Sequence, residues 1–250
     1  KRLLKKDPSA ADARLAAELR EICYATWTNE PVTAQRASAA ADLLAAANDS
    51  PAIAATARWI KGIADITRGR FDRAAAALKQ AGRMFAALGR DNDAAQTRVA
   101  ELMALAMPGR YDEAIAAGEA DLKFIVRTRD HLAAGKVAMN LGNVVSRQGR
   151  HRDAELYGLA ARRHFTGAGE ATWLAMAENG LANTYAELNE FAKARRYYEK
   201  ALATAKASKM TVTEAEIEAS LGNLAVLRGQ YSEAIRFLER SRQRYAELDM

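Results

Sequence analysis

Apolar and small positions along this chain recur with a period of 40 residues. Leu141, Leu181 and Leu221 form one such series, and Phe71, Tyr111, Phe191 and Tyr231 form another, with His151 at the same register. Ala74, Ala114, Ala154, Ala194 and Ala234 form a third. Gly62, Gly142 and Gly222, with Ala182, form a fourth, seven residues before a turn position occupied only by Gly or Asn: Gly69, Gly109, Gly149, Asn189 and Gly229. Gly and Asn tolerate left-handed backbone, the geometry in which helices commonly stop. A helix therefore ends at each turn and another begins two residues later, with Asp72, Asp112, Asp153 and Glu233 in its first turn, where acids suit the helix dipole. The Leu series should be core and the aromatic series should plug the gap between helices. A mid-helix Gly costs about 1 kcal/mol against Ala, so its repetition implies close helix contact.

The spacing predicts helix pairs at about 9–28 with 31–48, 52–68 with 71–89, 92–107 with 111–128, 131–148 with 151–167, 171–188 with 191–207, and 212–228 with 231–248. In the first pair, Asn29 takes the turn place, Pro31 the helix start and Ala34 the small site. A period between 20 and 50 residues marks a solenoid whose units bury their apolar faces against their neighbours. The expected fold is all-α: an α-solenoid of six helix-turn-helix hairpins over residues 9–250, forming one domain after a basic stub at 1–8.

The motif Leu221, Gly222, Asn223, Gly229, Tyr231 and Ala234 resembles the tetratricopeptide repeat, and Leu141, Gly142, Asn143, Gly149 and Ala154 resemble it nearly as well. Leu181, Ala182, Tyr185, Phe191, Ala194 and Tyr198 give a third match. The resemblance covers about residues 50–250 and implies a right-handed superhelix. Its ordinary period is about 34 residues. The longer period here should lengthen the helices or the links. The segments Gly109–Ala116, Asn140–Val144 and Glu239–Tyr245 are also similar to bacterial CHAT proteins, in which such an array precedes a caspase-like cysteine protease domain. That similarity implies a sensing or regulatory arm, with the protease His and Cys beyond Met250, and the chain reads as a fragment of a longer protein.

Composition removes several alternatives. The net charge of +6 owes four charges to Lys1, Arg2, Lys5 and Lys6, and the remaining basic and acidic side chains are interspersed. A basic stripe for nucleic acid is not expected. No apolar run reaches the roughly 20 residues that span a bilayer, so no membrane partner is expected. A single cysteine, Cys23, rules out an intrachain disulfide and fits a reducing cytoplasm. It reads as a buried structural thiol. His131, His151 and His164 stand at no metal-site spacing, and the glycines do not cluster as a phosphate loop. No catalytic constellation, metal or cofactor is expected, and the chain reads as a non-enzyme.

The expected site is a groove lined by the first helix of each hairpin. In the tetratricopeptide register, the residue after the small site faces it: Ile63, Met103, Asn143, Asn183 and Asn223. One turn earlier stand Trp59, Val99, Met139, Asn179 and Ala219. The groove should thus change from an apolar half (Trp59, Ile63, Ile66, Val99, Met103, Met107) to an Asn ladder flanked by Arg147 and Glu187. An amide can donate to and accept from a peptide backbone. The expected partner is a protein or peptide segment, or the chain's own C-terminal domain. The alternatives are core roles for Trp59 and the Met residues and structural roles for the Asn residues. At the level of function, the alternatives are a structural or autoinhibitory scaffold and the sensor arm of a transcriptional regulator. If the ladder binds, Asn183→Ala with Asn223→Ala should weaken partner binding and leave melting unchanged.

Overall fold

The computed structural model describes residues 12–247, so the basic stub at 1–8 and the outermost predicted helix residues, 9–11 and 248, lie outside the described residues. Twelve helices run through the described chain: α1 Ala13–Thr26, α2 Pro31–Ala46, α3 Pro51–Ile66, α4 Phe71–Ala87, α5 Asp91–Ala106, α6 Tyr111–Thr128, α7 His131–Arg147, α8 His151–Ala168, α9 Ala171–Glu187, α10 Phe191–Ala207, α11 Thr211–Leu227 and α12 Tyr231–Glu247. The fold class is all-α, an α-solenoid of helical hairpins, and the pairs follow the predicted ones within a few residues.

The long period resides in the helices. After α2 the links are two to four residues, and the helices have 16–18 residues. Each of Gly69, Gly109, Gly149, Asn189 and Gly229 has positive φ, as the turn chemistry requires. A second left-handed series, not anticipated from the sequence, closes the links between hairpins: Gly89, Arg129, Gly169 and Lys209. The two series interleave, so the chain reverses every 20 residues. Most turns carry the bond of a Schellman motif. Arg70 N–H donates to the Asp65 carbonyl at 2.9 Å, and Glu190 N–H to that of Tyr185 at 2.8 Å.

Two expectations about the turns fail. Asn29 is not left-handed, because α1 already stops at Thr26 and Glu30 N–H caps the Thr26 carbonyl at 2.8 Å. Tyr231 does not plug a gap. It is 66% exposed, with no later hairpin among the described residues to cover it, whereas its equivalent Phe191 packs on a buried cluster.

Contacts divide the chain into two compact units, one ending at Asp121 and the other beginning at Leu122, a boundary inside α6. In the first unit, Trp59 is the largest buried side chain. It meets Tyr24 and Phe85 edge to face, with ring centroids 5.7 and 5.8 Å away, and donates its indole N–H to the Tyr24 hydroxyl at 2.9 Å. Cys23 is fully buried beside Ile60, and burial pushes its thiol up to about 12, as suits an inert thiol. In the second unit, Leu181, Tyr185, Tyr198, Leu202, Ile217 and Leu221 form one cluster across α9, α10 and α11.

The alanine series is buried at every position. The glycine series is more varied. A Cβ on Gly62 would lie 2.5 Å from Leu78 Cγ, and one on Gly222 would lie 2.7 Å from Leu238 Cγ. At Gly142 the nearest atom would be 3.5 Å away, an ordinary contact, which is why Ala182 fits the same register.

Candidate functional site

The structure splits the predicted groove residues into three groups. Trp59 and Ile63 are corrected to core residues: they are 0% and 1% exposed, and Ile66 is buried with them. The indole fits between Tyr24 and Phe85, and burying an aromatic side chain there outweighs presenting it to a partner. Val99 and Met103 on α5 are half-buried, and Met107 is exposed. The polar half behaves differently. Asn143, Arg147, Asn183, Glu187 and Asn223 are exposed, while Asn179 is half-buried with a buried Oδ1 that has no partner.

Four of these residues meet at one cavity of about 350 Å³ between α7 and α9. Asn143 and Arg147 come from α7, and Asn183 and Glu187 from α9, one helical turn apart on each helix. Ala154 and Gly158 of α8, together with Leu181, line the cavity as well. Gly158 is required, since a Cβ there would lie 2.7 Å from Leu181 Cδ2. Ser146 and Thr184 add hydroxyls, though Thr184 spends its hydrogen on the Gly180 carbonyl at 3.0 Å. Asn223 on α11 does not reach this cavity.

Asn183 is held in place. The Tyr198 hydroxyl of α10 donates to its Oδ1 at 2.5 Å, so its NH₂ is the end left for a partner. Tyr198 is buried, and burial pushes its phenol up to about 12, which keeps it a donor. Arg147 and Glu187 make no ion pair among the described residues, so a cation and an anion flank the amides. The cavity is small for a ligand pocket, whose usual range is about 300–1,000 Å³. It lies between the first helices of successive hairpins. The role of Tyr198 was missed from the sequence because its register reads as core; its hydroxyl was the one available signal.

The structure also joins His131 and His164, 33 residues apart, across α7 and α8, with Nδ1 atoms 3.2 Å apart. Burial, then His131 and Arg163, pull the His164 imidazole below its ordinary range. Among the described residues no cluster of three or more His, Cys, Asp or Glu is arranged to hold a metal, and no helix is long and apolar enough to cross a membrane.

Comparison with known proteins identifies the fold. No curated protein matches the chain in sequence. Among solved structures, BtubC from P. vanneervenii superposes with a TM-score of 0.70 at 17% identity, covering 89% of this chain and 92% of that one. RapI in its apo form superposes at 0.69 and 13% identity, over 93% of this chain. A Rap protein complexed with Competence and Sporulation Factor does so at 0.66 and 14%, over 84% of this chain. The chain spans 64% and 58% of those two Rap chains. The family model for the tetratricopeptide repeat matches residues 134–207 and 173–247, which include the cavity. The chain is thus tetratricopeptide-like in fold, and its residues 134–247 match the family model of the tetratricopeptide repeat.

Proposed function

We propose that this chain is a protein-interaction module that binds an extended protein segment in the cavity between α7 and α9. The observation that carries this reading is the convergence of Asn143, Arg147, Asn183 and Glu187, with Asn183 oriented by Tyr198. The amides meet the backbone of the segment, while Arg147 and Glu187 select an acidic and a basic side chain on it. A related fold solved with Competence and Sporulation Factor supports a ligand-binding role for such an array. The module acts in the cytoplasm as the recruiting or regulatory arm of a larger protein. The resemblance of Gly109–Ala116 and Glu239–Tyr245 to CHAT proteins supports a caspase-like protease as that protein. The scaffold holds its ligand without chemistry of its own. Selecting binders from a random peptide library, with Arg147→Ala/Glu187→Ala protein as the counter-selection, tests this. Peptides retained by the wild type alone support it, and enrichment that is equal on both proteins refutes it.

A further inference from the structure

One buried position in the N-terminal unit breaks the repeat. Leu141, Leu181 and Leu221 share a register and are all buried. Forty residues before Leu141 stands Glu101, 9% exposed. Burying a carboxyl there forfeits an apolar contact and removes the hydration of the charge. Burial pushes its pKa up to about 7, against the pull of Lys79. Glu101 has no hydrogen bond or ion pair among the described residues. Its side chain instead lines a cavity of about 260 Å³ between α4, α5 and α6.

The other charges around this cavity are unequally used. Arg98 of α5 and Asp121 of α6 pair at 3.0 Å and neutralise each other. Lys79 and Arg83 of α4 make no hydrogen bond or ion pair among the described residues, act on Glu101 only through space, and sit on the exposed side. Gly82, Ala117 and Ala120 contribute almost no side-chain volume, which leaves the space open. The unspent set is therefore one buried acceptor and two cations near the surface.

We propose that this cavity binds a small zwitterion, an ammonium carboxylate of the size of a free amino acid. Its ammonium group meets Glu101, and its carboxylate lies between Lys79 and Arg83, where the guanidinium fork can take both oxygens. A simple anion leaves Glu101 uncompensated in its buried place, and a simple amine leaves the two cations unanswered. The bound ammonium favours the ionised carboxylate, so binding near neutral pH releases a proton from Glu101. Lys79 and Arg83 from α4, Arg98 from α5 and Asp121 from α6 are the charged groups that face this event. The site is independent of the cavity between α7 and α9.

Calorimetric titration of the protein at pH 7 with each common free amino acid, in two buffers of different ionisation enthalpy, tests the assignment. The expected result is that at least one amino acid binds with proton release, while acetate or methylamine alone does not bind. Glu101→Gln and Glu101→Leu should each weaken that binding about tenfold or more, the loss of one charge-assisted contact. Leu at this register already folds in three hairpins. Should Glu101→Leu misfold, the nearly isosteric Glu101→Gln carries the test alone. Absence of binding by every amino acid, or equal binding by the Gln variant, overturns the proposal.

Discussion

Tyr198 donates its hydroxyl hydrogen to Asn183 Oδ1 at 2.5 Å, which ties a buried residue of α10 to an exposed one on α9. The bond separates structural from binding roles within the Asn series. Asn183→Ala removes this acceptor, leaves the Tyr198 hydroxyl only Ser220 to turn to, and should cost about 1 kcal/mol, the net worth of one hydrogen bond. Asn143→Ala and Asn223→Ala remove exposed amides and should leave the melting temperature within error of the wild type. Thermal melts of the three single variants check this. It amends the expectation that Asn183→Ala with Asn223→Ala leaves melting unchanged.

The mid-helix glycines should respond unequally to one substitution. Gly62→Ala drives a Cβ to 2.5 Å from Leu78 Cγ and should cost about 1–3 kcal/mol through overpacking. Gly142→Ala meets nothing closer than 3.5 Å and should be neutral or stabilising by up to about 1 kcal/mol, the helix-propensity difference. Urea midpoints of the two variants decide the matter.

Arg244 clamps two acids. Its guanidinium reaches Glu214 at 2.9 Å and Glu218 at 2.8 Å, and Glu218 is fully buried. One oxygen of Glu218, Oε1, already lacks a partner. Arg244→Met strands the Glu218 charge and should cost about 3–5 kcal/mol. Adding Glu218→Met should recover most of that loss, because breaking a buried pair costs more than replacing it with apolar groups. Denaturation of the single and double variants measures the difference.

Glu101 gives the N-terminal unit a pH dependence of definite sign. Its folded pKa, about 7, lies above the ordinary 4.5. Between those values the folded state holds a proton that the unfolded chain has lost, so this contribution to stability falls as pH rises from about 4.5 to about 7 and stays lost above. Glu101→Leu should therefore stabilise the protein at pH 8, by about 1–3 kcal/mol for removing an unpaired buried charge. The gain should shrink as pH falls toward 5. Melts of both proteins across that range check the sign.

Much of the scaffold is legible in the sequence because its causes are local. A residue at Gly69 or Asn189 must turn left-handed, and only Gly and Asn do so cheaply. Arg129 and Lys209 escaped notice because their positive φ is imposed by the fold against the preference of the side chain. Trp59 was misplaced for a similar reason. Its register points to the groove, but its partners Tyr24 and Phe85 come from two other helices, whose approach spacing along one helix does not reveal. The amide cavity was legible because Asn143 and Asn183 sit where apolar residues stood one and two repeats before. The tie from Tyr198 was not, since spacing along one helix says nothing of which hydroxyl crosses to another.

The most direct test of the interaction role is the affinity of a library-selected peptide for the wild type and for the Arg147→Ala/Glu187→Ala variant, measured by fluorescence polarisation. Both residues are exposed and unpaired, so the variant should fold as the wild type does. Loss of about tenfold or more in affinity, with helicity and melting unchanged, is the predicted result. Equal affinity for the two proteins would place the partner surface elsewhere and contradict the account.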